Sequence, residues 1–149
     1  MACMGPTLGM NQALHPGDYL ETGGGLFVAL MQVDGNLVVY PGTDAIALAP
    51  TQEQGAVWSS NSYNDIGQCV ALMQSDGNFA IYPTPDAVGK APTEQTGAIW
   101  ATNTSGASGG PNFFVALLTW RRRAEGDYIP IGFSFFNYVQ FSGVFRWIG

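Results

Sequence analysis

Gln32-Val33-Asp34-Gly35-Asn36-Leu37-Val38-Val39-Tyr40 recurs 42 residues later as Gln74-Ser75-Asp76-Gly77-Asn78-Phe79-Ala80-Ile81-Tyr82. The likeness extends outward on both sides. Residues 28–61 fall on residues 70–103 without a gap, and 19 of the 34 positions are identical. The shared residues include Val-Ala-Leu-Met ahead of the quoted stretch, Ala-Pro-Thr at 49–51 and 91–93, and the tryptophans Trp58 and Trp100. Two copies of one supersecondary unit rarely bury their apolar faces alone, so a third partner is expected.

A damaged third copy is visible. Phe113-Phe114-Val115-Ala116-Leu117-Leu118 is similar to Leu26-Phe27-Val28-Ala29-Leu30-Met31, after a linker rich in Gly and Ser. The match then stops, with Thr119, Arg121 and Arg123 where Gln32, Asp34 and Asn36 stood. A second alignment slides past an insertion and sets Asn137, Val139 and Phe141 against Asn36, Val38 and Tyr40, with Trp147 in the part of Trp58. Neither alignment rebuilds the polar set. The chain thus reads as one domain over 1–149, with repeat one at about 26–62, repeat two at about 68–104 and a degenerate third repeat at about 113–149.

Composition places this repeat in the all-β class. Gly occurs 20 times and Pro 9 times in 149 residues, so turns are frequent, while Lys occurs once and Glu four times. Within each clean copy the period is two. Met31, Val33, Leu37 and Val39 alternate with Gln32, Asp34, Asn36 and Tyr40, and alternate residues of a strand share a face. The alternation runs through Gly35 and favours a strand; the other reading makes Asp34-Gly35 and Asp76-Gly77 hairpin turns. Residues 43–55 and 85–97 read as long connections before Trp58 and Trp100.

On the strand reading, Gln32, Asp34, Asn36, Val38 and Tyr40 project from one face, and Gln74, Asp76, Asn78, Ala80 and Tyr82 repeat them. The set offers a carboxylate acceptor, two amides, a phenol and a small apolar patch. That inventory suits a ligand covered with hydroxyls, because a carboxylate accepts O–H bonds and charge-assisted bonds are the strong ones. A single polar strand face means only solvent; two copies in strict register point to binding.

The two stretches resemble the Q-x-D-x-N-x-V-x-Y mannose-binding motif of the monocot, or bulb-type, lectins of the snowdrop-lectin kind, with Ala80 for valine in the second. Trp58-Ser59-Ser60-Asn61 and Trp100-Ala101-Thr102-Asn103 are also similar to segments of that family. The resemblance covers residues 7–104 well and 113–149 poorly. It implies a β-prism of type II: three four-stranded antiparallel sheets around a pseudo-threefold axis, with tryptophans packed at the centre. It further implies that Asp34 and Asn36 hold the axial O2 of mannose, Gln32 contacts O3, Tyr40 bonds O4 and Val38 packs on ring carbons. Gln74, Asp76, Asn78, Ala80 and Tyr82 would repeat those roles. Calcium is not required in this family. Many members carry a disulfide from a cysteine inside the motif to one ahead of the next motif. Cys69 stands at the second place, but Gly35 and Gly77 stand at the first, so that bridge is absent here.

The remaining residues exclude other classes. Positions 1–118 hold nine acids and one base, Lys90, and an acidic body opposes a phosphate backbone. One histidine, His15, and two cysteines, Cys3 and Cys69, make no metal site or disulfide framework. No nucleophile is paired with a base, so no catalytic residue, cofactor or metal is expected. No stretch approaches a membrane span and no secretory signal is visible, so synthesis in the cytoplasm, with or without non-classical export, is the expectation. The expected function is a non-catalytic lectin for mannose and mannose-containing glycans; the alternative is a protein-interaction or bacteriocin-like module on the same fold. Weak single sites favour multivalency. With the aromatic tail at Phe133, Phe135, Phe136, Tyr138, Phe141 and Phe145, that suggests a homodimer or higher oligomer.

Overall fold

The computed structural model describes residues 2–21, 25, 27–52, 55–56, 58–103, 114–121 and 128–136. The second reading of the third repeat, through Asn137, Val139, Phe141 and Trp147, lies outside these residues. Among the described residues there are eleven strands: β1 (Thr7–Gly9), β2 (Ala13–Leu14), β3 (Tyr19–Glu21), β4 (Phe27–Met31), β5 (Leu37–Pro41), β6 (Trp58–Ser59), β7 (Val70–Met73), β8 (Phe79–Tyr82), β9 (Trp100–Ala101), β10 (Phe114–Arg121) and β11 (Tyr128–Phe136). They form three antiparallel sheets, ordered β3-β4-β5-β6, β2-β7-β8-β9 and β1-β10-β11. The two long connections carry short 3-10 turns, Asp44–Ala47 and Pro50–Gln52 in the first and Pro85–Ala87 and Pro92–Glu94 in the second.

The repeat maps directly onto the sheets. Repeat one supplies β4, β5 and β6, and repeat two supplies β7, β8 and β9. The first strand of every sheet comes from elsewhere, namely the segment 7–21. That segment is itself a threefold pattern. Leu8, Leu14 and Leu20 recur every six residues, one per strand, and each is fully buried. Three residues ahead of each leucine the chain turns, at Gly5, Asn11 and Gly17, all with positive φ (74°, 63° and 92°). Gly is the residue that tolerates this conformation, and Asn is one of the few others that does. The residues ahead of β1 are also held: Met4 N–H donates to the Tyr19 carbonyl at 2.9 Å and Glu21 N–H to the Gly5 carbonyl at 2.9 Å.

The three leucines join a central cluster with Phe27, Ala29, Met31, Leu37 and Val39 from sheet one and Ala71, Met73, Phe79 and Ile81 from sheet two. These are alternate residues of their strands, as a shared inner face requires. Trp58 and Trp100 pack against this cluster, with ring centroids 5.5 Å apart in an edge-to-face arrangement, and Trp100 meets Phe79 edge-on at 6.2 Å. The architecture is the type II β-prism that the resemblance implies.

The third sheet shows what the loss of the motif does to the chain. β4 and β7 end at Met31 and Met73, just before Gln32 and Gln74. β10 runs on as strand to Arg121 and pairs with β11 from Phe114↔Phe136 to Arg121↔Tyr128. Thr119 and Arg121 therefore continue a ladder at the point where the other two sheets reverse.

The outer faces differ from expectation. The polar row was expected to look into solvent, yet every residue of β4, β7 and β8 is buried, as is β5 up to Tyr40. The cause is the pair of connections. Ala45, in the 3-10 turn Asp44–Ala47, packs with Val28, Leu30, Val38 and Tyr40, and Ile46 joins them. Ala87, in the turn Pro85–Ala87, does the same with Val70, Leu72, Ala80 and Tyr82. Each connection thus seals the outer face of its own sheet.

If the tryptophans are structural, Trp58→Ala should cost about 3 kcal/mol, the low end for a buried aromatic because the ring is partly exposed. Urea denaturation measures this, and an unchanged midpoint would remove Trp58 from the core.

Candidate carbohydrate-binding sites

The quoted motif is a hairpin tip followed by a strand, not one continuous strand. Met31 pairs with Leu37, and the five residues between them make the reversal. Gln32 N–H donates to the Asn36 carbonyl at 2.9 Å, and Gly35 N–H to the Gln32 carbonyl at 3.1 Å. Asp34 Oδ1 accepts from Asn36 N–H at 3.0 Å, which fixes the turn from within. Repeat two copies this: Gln74 N–H to the Asn78 carbonyl at 2.9 Å, Gly77 N–H to the Gln74 carbonyl at 3.2 Å, and Asn78 N–H to Asp76 Oδ1 at 3.0 Å. Gly35 has φ +84° and Gly77 φ +91°, a conformation that explains glycine in both tips.

The tip brings the polar set together. Gln32 Nε2 donates to the Tyr40 hydroxyl at 2.6 Å, across the ladder from the far end of β5. Asn36 Oδ1 accepts from Ser59 Oγ at 3.0 Å, Ser60 Oγ at 3.1 Å and Ser62 N–H at 3.2 Å. A backbone N–H can only donate, so the amide is oriented with Oδ1 inward and its Nδ2 donors turned to the site. In repeat two Thr102 Oγ1 donates to Asn78 Oδ1 at 3.3 Å. The same two hydroxyls also accept from the strand, Leu37 N–H to Ser60 Oγ at 3.0 Å and Phe79 N–H to Thr102 Oγ1 at 3.1 Å. The Trp-x-x-Asn segments therefore have a local purpose. Their Ser or Thr locks the motif asparagine, and Asn61 and Asn103 leave the strand at φ 54° and 58°.

Burial, and secondarily the Asp76 carboxylate, hold the Tyr82 phenol above its ordinary value of 10.0, against the lowering effect of its bond with Gln74. The hydroxyl keeps its proton at neutral pH and stays a donor. Asp34, Asn36, Asp76 and Asn78 are half-buried, whereas Gln32, Tyr40, Gln74 and Tyr82 lie deep with little surface. Each site thus pairs an acceptor carboxylate with amide donors at its rim and a glutamine–tyrosine pair at its floor. One sugar hydroxyl both donates and accepts, so a carboxylate and an amide side by side saturate it. Val38 and Ala80 depart from expectation. They are 2% and 0% exposed beneath Ala45 and Ala87, so they hold the floor together and offer a ring no open face.

Sequence reading missed the loop after β6. Ser62 Oγ donates to the Gly35 carbonyl at 2.7 Å, and Asn64 N–H to the Asp34 carbonyl at 2.5 Å. The Asn64 amide lies against Gly35 and exchanges hydrogen bonds with Cys69 Sγ at 3.4 and 3.5 Å. Asn64 therefore spans the two places that the missing disulfide would join. A cavity of about 330 Å³ lies on the other flank, lined by Pro16, Leu30, Gln32, Val33 and Leu48 among others.

Comparison with known proteins agrees with this architecture. No family model and no curated relative matches the sequence. Solved structures do. The mannose-specific agglutinin from snowdrop (Galanthus nivalis) bulbs, solved with methyl-α-D-mannoside, is 27% identical with a TM-score of 0.51, over 85% of this chain and 89% of its own. A monomeric monocot mannose-binding lectin from Gastrodia elata is 25% identical with a TM-score of 0.56, over 92% and 90%. A lectin from Allium sativum is 26% identical with a TM-score of 0.50, over 85% and 93%. The chain has the lectin fold of these proteins, of which the snowdrop agglutinin is described as mannose-specific and the Gastrodia lectin as mannose-binding.

Gly35→Ala should destabilise the protein by about 2 kcal/mol, from the left-handed φ and from the Asn64 amide that a Cβ would meet. Thermal denaturation tests it, and a gain in stability would show that the tip tolerates a side chain.

Proposed function

We propose that the chain is a non-catalytic lectin that binds mannose and mannose-containing glycans at two sites. Gln32, Asp34, Asn36 and Tyr40 make the first over a floor that includes Val38. Gln74, Asp76, Asn78 and Tyr82 make the second over Ala80. The observation that carries this reading is the duplication of one donor and acceptor set in one geometry: an internal Asp–Asn turn bond, an asparagine locked by a hydroxyl, and a glutamine–tyrosine pair. A face that only meets water has no need of such a copy. The mannoside in the snowdrop structure supports the choice of sugar. Neither alignment of the third repeat rebuilds the set in sequence, so two sites are proposed.

A few hydrogen bonds at a shallow site give single-site dissociation constants on the order of millimolar. Two fixed sites raise avidity for a surface, and pairing of chains would raise it further. We therefore propose a dimer in solution, which light scattering measures. The fold itself does not demand one, since the Gastrodia lectin is monomeric.

Asp34→Asn with Asp76→Asn is the decisive variant. Asparagine keeps an oxygen for the Asn36 and Asn78 N–H bonds, so the tips persist, while the charge-assisted bonds to ligand are lost, about 1.5–3 kcal/mol each. Glycan-array signal that free mannose abolishes in the parent should vanish in this variant at unchanged melting temperature. Retained binding would sink the site assignment, and a parent that binds no glycan would turn the reading to a protein-interaction module.

A further inference from the structure

The two sites share their polar atoms and differ in their rims. Five large apolar side chains are exposed among the described residues: Val33 (57%), Leu48 (41%), Tyr63 (72%), Ile66 (46%) and Ile99 (39%). Four of the five surround the first hairpin tip. Val33 is in the tip itself, and with Leu48 it lines the cavity that Gln32 borders. Tyr63 and Ile66 sit on the loop clamped to the tip. The residues on either side of Tyr63 are the clamps, through Ser62 N–H to Asn36 Oδ1 and Asn64 N–H to the Asp34 carbonyl. Ile66 N–H is held in turn by Asn64 Oδ1 at 2.9 Å. The most exposed ring of the group is thus tied by its backbone to the two rim residues of site one. At the second site the matching positions are polar. Ser75 stands for Val33 and Lys90 for Leu48, and the chain after Asn103 reads Thr-Ser-Gly-Ala-Ser-Gly-Gly, outside the described residues and without a large apolar residue.

We infer that the first site is an extended one, in which Tyr63 stacks on the sugar residue next to the mannose held by Asp34 and Asn36, whereas the second site takes a single terminal mannose. This rests on the proposed mannose site and adds its specificity. A pyranose presents a C–H face and a ring of hydroxyls. Tyr63 offers an aromatic face, and the exposed Asn61 on the same loop offers an amide, so the rim matches a second sugar in both respects. An acyl or aryl group would suit the mainly apolar flank at Leu48 instead. Since Val38 is sealed under Ala45, the rim is also where site one can supply apolar contact at all.

The test compares methyl α-mannoside with an α-linked mannobiose by calorimetry on the full chain. Asp76→Asn isolates the first site and Asp34→Asn the second. In the Asp76→Asn protein the disaccharide should bind about three- to tenfold more tightly than the monosaccharide, the scale of one aromatic contact. Adding Tyr63→Ala should bring that ratio to about one, and Tyr63→Phe, which keeps the ring, should restore it. In the Asp34→Asn protein the ratio should be near one with or without Tyr63. A ratio that survives Tyr63→Ala, or equal ratios at both sites, overturns the extended site while leaving the lectin standing. A parent that binds neither mannoside overturns the proposed function, and this inference with it.

Discussion

Three leucines spaced six residues apart, Leu8, Leu14 and Leu20, set the rest of the structure. Each lies on a strand that opens a different sheet, and all three enter one apolar centre. Full burial of a leucine contributes about 1.5–3 kcal/mol. The greater consequence is connectivity. β1, β2 and β3 are only three, two and three residues long, so none would hold a sheet by its own ladder. Because they are consecutive pieces of one chain, placing one places the other two. The central tryptophan pair and the outer connections pack onto sheets whose relative position this segment has already decided.

With the frame held, the hairpin tips are free to be polar. Their buried donors and acceptors are nonetheless matched almost one for one. Asn36 Oδ1 alone accepts from three donors, and Ser62 Oγ donates to the buried Gly35 carbonyl of the tight turn. Unmatched groups at such burial would cost about 1–3 kcal/mol each. The network therefore stabilises the tip and, in the same stroke, orients the atoms that face outward. Asn64 shows the economy of the arrangement. It fills the space that Gly35 leaves and reaches Cys69, holding by hydrogen bonds a distance that a disulfide would hold covalently.

Much of this was legible in the residues, and what was not has physical reasons. The 42-residue repeat gives the sheets and the polar set. The strand alternation misled at the tip because Met31 and Leu37 are six residues apart and pair directly, so both face the core although the chain reverses between them. An even spacing keeps its parity through a hairpin, and only the positive φ of Gly35 distinguishes the two readings. The leucine pattern escaped because strands of two or three residues carry no period. The burial of Val38 and Tyr40 escaped because Ala45 and Ile46 sit in a connection, and apolar residues in a loop do not announce what they cover. The clamp from Ser62 and Asn64 is a contact between distant segments, on which pattern within a segment is silent.

The division between frame, site and rim has a consequence for how such a molecule changes specificity. Inner-face residues of the two clean copies are alike in character: Ala29, Met31, Leu37 and Val39 against Ala71, Met73, Phe79 and Ile81. A change there alters packing at the centre, where large-to-small replacements cost about 2–5 kcal/mol. Changes at the polar tip disturb the turn that carries it. The rim is under neither constraint. Val33, Leu48 and Tyr63 are exposed, and substitutions at exposed positions usually stay within about 0.5 kcal/mol. The differences between copies at Val33 and Ser75, and at Leu48 and Lys90, fall where they cost the fold least and border the proposed sugar sites. The two proposed sites, with one recognition core, can in this way differ in what they prefer beside the same sugar without any change in the prism that holds them.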